Sequence, residues 1–195
     1  MRSGRKRSGG RENVLALIAI SGLLCVGASG EPRINPLPRL PRNQCVLDEP
    51  RLLQTKTTAT LQKTCAALST AGTGQIVIAI VSDLRGRASI QEFALEFFRE
   101  IRLGHVERDD GVLVVFQPGP PGHNRVRVTV GIGLESGMTS ERLGTVINEA
   151  FAPRIKQQDP DGALLGLTDK LVSMVEEEQR SGRVDQHARL RRQQH

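Results

Sequence analysis

The chain has 195 residues, which is enough for one domain with its own core plus flexible ends. It contains five Phe but no Trp or Tyr, so the core must be aliphatic and nucleic-acid binding by base stacking is disfavoured. The formal net charge of +6 comes mainly from the ends, because residues 1–28 hold five basic residues and one acidic residue, and the remainder carries only +2. The charge therefore does not indicate a nucleic-acid-binding domain.

Residues 1–28 have the composition of a signal peptide. A basic stretch, Met1–Arg11, precedes a mostly apolar stretch, Val14–Ala28, and small residues offer a cleavage site after Ala28. The apolar stretch is shorter than the roughly 20 residues of a membrane-spanning helix. We therefore expect export to the periplasm, the cell envelope or the extracellular space, with an uncleaved N-terminal membrane anchor as the alternative.

Residues 29–42 are predicted to be an extended linker, because four prolines fall within residues 31–42 and cannot donate backbone hydrogen bonds. Two cysteines, Cys45 and Cys65, follow the linker. An even number of cysteines in an oxidising compartment allows one disulfide. The alternative is a buried Cys65 on a helix face and an unrelated Cys45, and the separation of their Cα atoms decides between the two.

The folded domain is predicted over residues 43–180, followed by a basic, disordered tail over residues 181–195. Hydrophobic spacing and aliphatic runs predict a helix at 50–70, a buried strand at 75–81, a helix at 89–102, a buried strand at 111–116, a strand at 125–131, a helix from Thr139 that Pro153 interrupts, and a helix at 161–179. The third strand alternates polar and apolar residues, which is typical of an edge strand.

The order α-β-α-β-β-α-α predicts an α/β fold, with a short mixed β-sheet sandwiched between helices on both faces. A right-handed crossover makes the first two strands parallel, and the short connection after the second makes the third strand antiparallel to it.

Three carboxylates are expected to meet at one edge of this sheet. Asp109 and Asp110 precede the second strand, and Glu135 follows the third strand, which runs back towards the same edge. Converging carboxylates repel one another unless a cation lies among them, and oxygen ligands of this kind suit Ca²⁺ or Mg²⁺. The alternative is that the two aspartates shape the turn before Gly111 while Glu135 is solvated.

No other arrangement in the sequence indicates catalysis. The histidines lie in loops or in the tail, without a partner cysteine, a nucleophile motif or zinc spacing. A histidine phosphatase would need a histidine near a strand end with arginines around it, and the sequence shows no such motif. Gly131-x-Gly133-x-x-x-Gly137 follows a strand, but its third glycine comes one residue late for a dinucleotide fingerprint.

Several short segments occur in the order found in TPM-domain proteins. They are Val46-Leu47-Asp48, Thr73-Gly74-Gln75-Ile76-Val77, Asp109-Asp110-Gly111-Val112-Leu113 and Val130-Gly131-Ile132-Gly133-Leu134-Glu135. The sequence therefore resembles the TPM domain over about residues 45–175, a resemblance that implies a sheet between two helical layers. Family members include a thylakoid-lumen protein of photosystem II repair and bacterial envelope proteins. Calcium binding and weak acid phosphatase activity are described in that family, which implies a cation at Asp109, Asp110 and Glu135.

The sequence also departs from the family pattern. Ser140 stands where many members have Asp, and Pro160 replaces an aromatic residue. A basic tail replaces the C-terminal membrane helix of the bacterial members. The first change would weaken the cation site, and the last implies a soluble or differently tethered protein.

These observations predict a non-enzymatic module that binds a divalent cation and assists the assembly, repair or regulation of a membrane-associated protein complex. A weak metal-assisted acid phosphatase is the alternative, although neither a nucleophile nor a cationic clamp is apparent. A third hypothesis gives the basic tail peripheral contact with anionic membranes. Nucleic acid is not an expected partner.

Overall fold

The computed structural model describes residues 34–184 together with Gln186 and Leu190. The predicted signal peptide and most of the predicted tail lie outside these residues. The described chain forms a sheet with the spatial order β1-β2-β3-β4, whose strands are β1 (Val46–Asp48), β2 (Gln75–Ile80), β3 (Gly111–Gln117) and β4 (Arg125–Val130). β2 and β3 are parallel and β4 is antiparallel to β3, as predicted. β1, which was not predicted, pairs in parallel with β2.

Helices cover both faces of the sheet, which confirms the predicted fold class. In the described chain they are α1 (Thr55–Thr70), α2 (Ile90–Glu100), α3 (Ser140–Val146), α4 (Ala152–Lys156) and α5 (Pro160–Arg180). One face packs against α2, and the other packs against α1, α5 and the region from α3 to α4. None of the helices described here combines the length and hydropathy that a membrane crossing requires.

The aliphatic runs of β2 and β3 divide between two cores. Alternate side chains of a strand point to opposite faces. Accordingly, Ile78 and Val114 belong to the larger core under α1 and α5, while Ala79 and Val115 belong to the smaller core under α2. Both faces are buried, and this explains why neither strand shows polar alternation.

The described part of the proline-rich segment, residues 34–42, lies against the domain. Leu37 and Leu40 pack on the core under α2. The backbone N–H of Asn35 donates to the carbonyl of Arg85 at 3.0 Å, and the guanidinium of Arg87 donates to the carbonyl of Asn35. This segment contains no helix or strand, and it contributes to the surface of the fold.

The structure also differs from the sequence prediction in two local features. A short strand, β1, precedes α1, and the Asp48 carboxylate accepts hydrogen bonds from the N–H groups of Leu52 and Leu53 at 2.9 Å each, so that α1 begins only at Thr55.

Pro153 does not end the helix that precedes it in the chain. A π-helical turn, Ile147–Phe151, connects α3 to α4 and places the proline in the first turn of α4, where its missing N–H costs little.

Candidate functional site

The turn before β3 is organised around the Asp110 side chain, which is fully buried. Its Oδ1 accepts the backbone N–H of His105 at 2.9 Å and lies 2.9 Å from Nδ1 of the same histidine. Arg108 Nη2 lies 2.7 Å from Oδ2. Burial of a carboxylate is tolerated when hydrogen-bond donors and an opposite charge replace its water shell. Here Oδ1 has the His105 N–H and Oδ2 has the Arg108 guanidinium.

The end of β4 lies directly against this turn. Gly131 N–H donates to the carbonyl of Gly111 at 2.8 Å, and Gly133 N–H donates to the carbonyl of Asp109 at 3.2 Å. A Cβ at Gly133 would come within 1.8 Å of the carbonyl oxygen of Arg108, so only glycine allows this approach. The two loops therefore meet at one edge of the sheet, as the strand directions require.

A groove runs along the free edge of β4. Its volume is about 660 Å³, and its floor consists of residues 126–130. One wall carries Gln91 and Leu95 of α2, and the other carries Leu143 and Gly144 of α3. Glu135 lies at the groove as well, so a predicted metal ligand borders the open edge of β4.

The edge of β4 presents unpaired backbone groups to the groove. The bond from Gly131 N–H to the Gly111 carbonyl fixes the phase of the antiparallel ladder. Hydrogen-bonded and non-hydrogen-bonded pairs alternate, so the N–H and C=O groups of Val126, Val128 and Val130 point away from β3. Because β4 is the last strand in the order of the described sheet, these groups face the open edge.

A family model described as the TPM domain matches residues 46–174, which is more than half of the chain. The chain belongs to the TPM domain family. The matched region includes the whole sheet, the acidic turn and the groove along β4. No curated protein is similar enough to this chain to count as a relative.

A solved structure supports the same fold. The solution NMR structure of the N-terminal domain of a protein from P. gingivalis superposes with a TM-score of 0.61 at 19% sequence identity. The match covers 69% of this chain and 83% of that domain. At this identity the likeness concerns the fold of the TPM domain and not its activity.

The TPM domain places the three predicted metal-binding residues in different surroundings. Asp110 is engaged by His105 and Arg108, Asp109 has a left-handed backbone with φ of 48°, and Glu135 borders the groove. Among the described residues, no group of three or more His, Cys, Asp or Glu side chains is arranged to hold a metal ion. In this arrangement Asp110 does not fit a cation ligand, because a guanidinium already occupies its Oδ2. The Ca²⁺ or Mg²⁺ site remains a prediction.

The prediction that no histidine lies near a strand end with an arginine around it is wrong for His105, whose Nδ1 lies 2.8 Å from Arg108 Nη2. Its Nδ1 lies 2.9 and 3.0 Å from the two oxygens of Asp110, and Arg108 is its neighbour just before β3. The signal in the sequence is the spacing His-x-x-Arg-x-Asp. This spacing brings the three side chains together only because the turn folds back on itself. The N–H groups of Arg108 and Asp109 both donate to the His105 carbonyl, and the sequence alone does not show these bonds.

Proposed function

We propose that this TPM-domain protein is an exported, non-enzymatic binding module that recognises an extended segment of a partner protein along the free edge of β4. The partner is a component of a membrane-associated complex, whose assembly, repair or regulation the module assists. The observation that supports this proposal is the combination of outward-facing backbone groups with a wall on each side of the edge strand.

An added strand satisfies the unpaired groups of an edge, which is how many domains take up extended peptides. The outward N–H and C=O groups of Val126, Val128 and Val130 supply that pairing. Leu95 is 44% exposed although it is a large apolar residue, and it would be covered by a side chain of the bound segment.

The positive charge of Arg127 at the groove indicates what kind of sequence the bound segment has. Arg127 is exposed at the edge and forms no ion pair with any described residue. Its side chain leans towards the α2 wall, because it pairs in register with Val115, which faces α2. The expected segment therefore alternates apolar residues with an acidic residue opposite Arg127.

Selection from a displayed library of random ten-residue peptides tests the proposal, followed by NMR mapping of the enriched peptides on the isotope-labelled protein. We expect amide shifts along β4 and weaker binding by Arg127→Glu. Gly144→Leu should lower affinity about tenfold or more by filling the groove, whereas Gly144→Ala should bind normally. A Cβ at this position meets no atom within 4 Å, so both variants should fold. Enriched peptides that bind Gly144→Leu equally well would refute the proposal.

The predicted cation and the export of the protein belong to the same proposal. Ca²⁺ or Mg²⁺ would be held near Asp109 and Glu135, and Asp110 could join only by exchanging its contact with Arg108. Calorimetric titration of each ion into chelator-stripped protein should show binding that Asp109→Asn with Glu135→Gln abolishes.

Export is tested by locating the 195-residue chain in the cells that produce it. Retention of this chain in the cytoplasm would contradict export.

Hydrolysis of phosphate esters is the second candidate, and His105 is the observation that favours it. Nδ1 of His105 lies between the Asp110 carboxylate, at 2.9 and 3.0 Å, and Arg108 Nη2, at 2.8 Å. In the tautomer that donates Nδ1–H to the carboxylate, Nε2 is the basic nitrogen. Such an imidazole can accept a proton or attack phosphorus. Hydrolysis of p-nitrophenyl phosphate, with and without Mg²⁺, should fall in His105→Gln but not in His123→Gln, which changes an exposed loop histidine. Equal rates in the two variants would exclude this role.

A further inference from the structure

Two cysteines from different elements meet beside β1. Cys45 lies just before β1, and Cys65 lies on the buried face of α1. The backbone N–H of Cys45 donates to Gln62 Oε1 at 3.0 Å, and its Sγ lies 3.7 Å from the Gln62 carbonyl oxygen. Gln62 precedes Cys65 by one helical turn, so these bonds hold Cys45 over the face that carries Cys65. The two cysteines line one cavity, and Cys45 packs against the core that contains Cys65.

The surroundings of the two sulfurs differ. Cys45 is partly exposed and lines a cavity of about 340 Å³ that Gln62 and Gln75 also line. Cys65 borders the same cavity but is 1% exposed. A small reagent that enters the cavity would therefore reach Cys45 first.

The acidities of the thiols differ in the same sense. Interaction with the Cys65 thiol lowers the pKa of Cys45, although burial opposes this change. The same interaction, together with burial, raises the pKa of Cys65. The Cys45 thiol is therefore the more acidic of the two and the one that ionises first. Thiolates are the attacking species in disulfide exchange.

We propose that Cys45 and Cys65 form a redox-active pair that reacts with a small disulfide of the glutathione class, with Cys45 as the attacking residue and Cys65 as the resolving residue. The Cys45 thiolate attacks one sulfur of the small disulfide, forms a mixed disulfide and releases one thiolate. Cys65 then loses its proton to the released thiolate and attacks the Cys45 sulfur, which expels the second thiolate. Two protein thiols are oxidised to one disulfide, and one small disulfide is reduced to two thiols.

Closure of this pair would link β1 to α1. β1 has three residues and lies at the edge of the sheet, so it depends on β2 and on the Gln62 contacts for its position. The Gln62 side chain also donates to the carbonyl of Asn43 at 3.0 Å. A covalent link would hold this edge in place and make the fold more resistant to heat in an oxidising compartment.

The test uses the full chain with Cys25→Ser, so that Cys45 and Cys65 are the only thiols. The protein is equilibrated in buffers of reduced and oxidised glutathione, quenched with an alkylating reagent and examined by intact mass spectrometry. We expect an internal disulfide in oxidising buffer and two alkylated thiols in reducing buffer. Two alkylated thiols in every buffer, or glutathione retained on both, would overturn the proposal.

Single variants test the assignment of roles. With Cys65→Ala, glutathione should remain attached to Cys45, because no resolving thiol is present. With Cys45→Ser, Cys65 should stay unmodified, and alkylation should be slower than in Cys65→Ala by about tenfold or more. Circular dichroism shows that each variant is folded before the comparison is made. Attachment of glutathione to Cys65 at the rate seen for Cys45 in folded variants would contradict the roles assigned here.

Discussion

Asp110 determines the conformation of the turn before β3 through one buried carboxylate. It accepts a backbone N–H and an imidazole contact from His105 and an ion pair from Arg108, whose side chain is 23% exposed. Removal of a buried acceptor leaves its donors without compensation, which costs more than the net value of the bonds themselves. Asp110 therefore has a structural role that is independent of any cation.

Asp110→Asn should lower the free energy of unfolding by about 2 kcal/mol, because the amide cannot balance the charge of Arg108. Asp109→Asn should cost less than Asp110→Asn, since asparagine readily adopts the left-handed backbone of Asp109 and Asp109 is less buried than Asp110. Urea unfolding of the two variants measures the difference. Equal losses would show that the buried contacts of Asp110 contribute little. This difference also makes Asp109→Asn the safer variant for metal titrations.

Substitution by alanine is predicted to have opposite effects on stability at Gly133 and at Gly144. Gly133→Ala should cost about 3 kcal/mol or more, because the new Cβ would meet a backbone oxygen that has no freedom to move. Gly144→Ala should raise stability by about 0.5–1 kcal/mol, since it lies in a helix and its Cβ enters open space. Thermal unfolding measures both. Destabilisation by Gly144→Ala would contradict the open groove.

At the scale of elements, the sequence predicts the helices and strands whose hydrophobic pattern extends over many residues. The aliphatic runs of β2 and β3 and the apolar face of α2 are clear because each spans the whole element. β1 could not be found this way, since three residues carry no alternation and pair only through contacts distant in sequence. The contact between His105 and Asp110 could not be predicted either, because it depends on the conformation of a six-residue turn.

The proline-rich segment should stabilise the domain although it contains no regular secondary structure. Leu37 and Leu40 cover apolar surface under α2. A protein that starts at residue 43, the predicted domain boundary, should be about 1–2 kcal/mol less stable than one that starts at residue 34. Denaturant unfolding of the two proteins measures this, with Leu37→Ser/Leu40→Ser in the longer one as the matched variant. Equal stability of all three would show that the segment only rests on the surface.

At the scale of the whole molecule, the fold extends past the predicted boundary at residue 180. Glu178 is fully buried, and Arg183 Nε donates to its Oε2 at 2.7 Å. The hydrogen bond to this carboxylate raises the pKa of Arg183. Val184 is buried in the larger core. These contacts were not predictable from the sequence, because the segment after α5 has the polar composition of a tail.

A protein that ends at residue 180 should therefore melt at a lower temperature than one that ends at residue 184. It loses the burial of Val184, worth about 1.5 kcal/mol, and leaves the buried Glu178 carboxylate without the guanidinium of Arg183. Differential scanning calorimetry compares the two. Arg183→Gln in the longer protein separates the loss of charge from the loss of apolar burial. Equal melting temperatures of the two proteins would place the domain boundary at residue 180 after all.

The hypothesis that the tail contacts anionic membranes can now be tested without disturbing the fold. The deletion should remove residues 185–195 and retain Arg183 and Val184, which contact the domain. The deleted segment holds three arginines and one aspartate, and each basic residue near an anionic surface contributes about 1 kcal/mol. Its loss should weaken sedimentation with phosphatidylserine-rich vesicles about tenfold or more, and added salt should weaken binding of the full chain similarly. Vesicles of phosphatidylcholine alone serve as the control. Unchanged sedimentation after the deletion would rule out the tail as a membrane contact and leave the TPM domain or the N-terminal segment to provide any attachment.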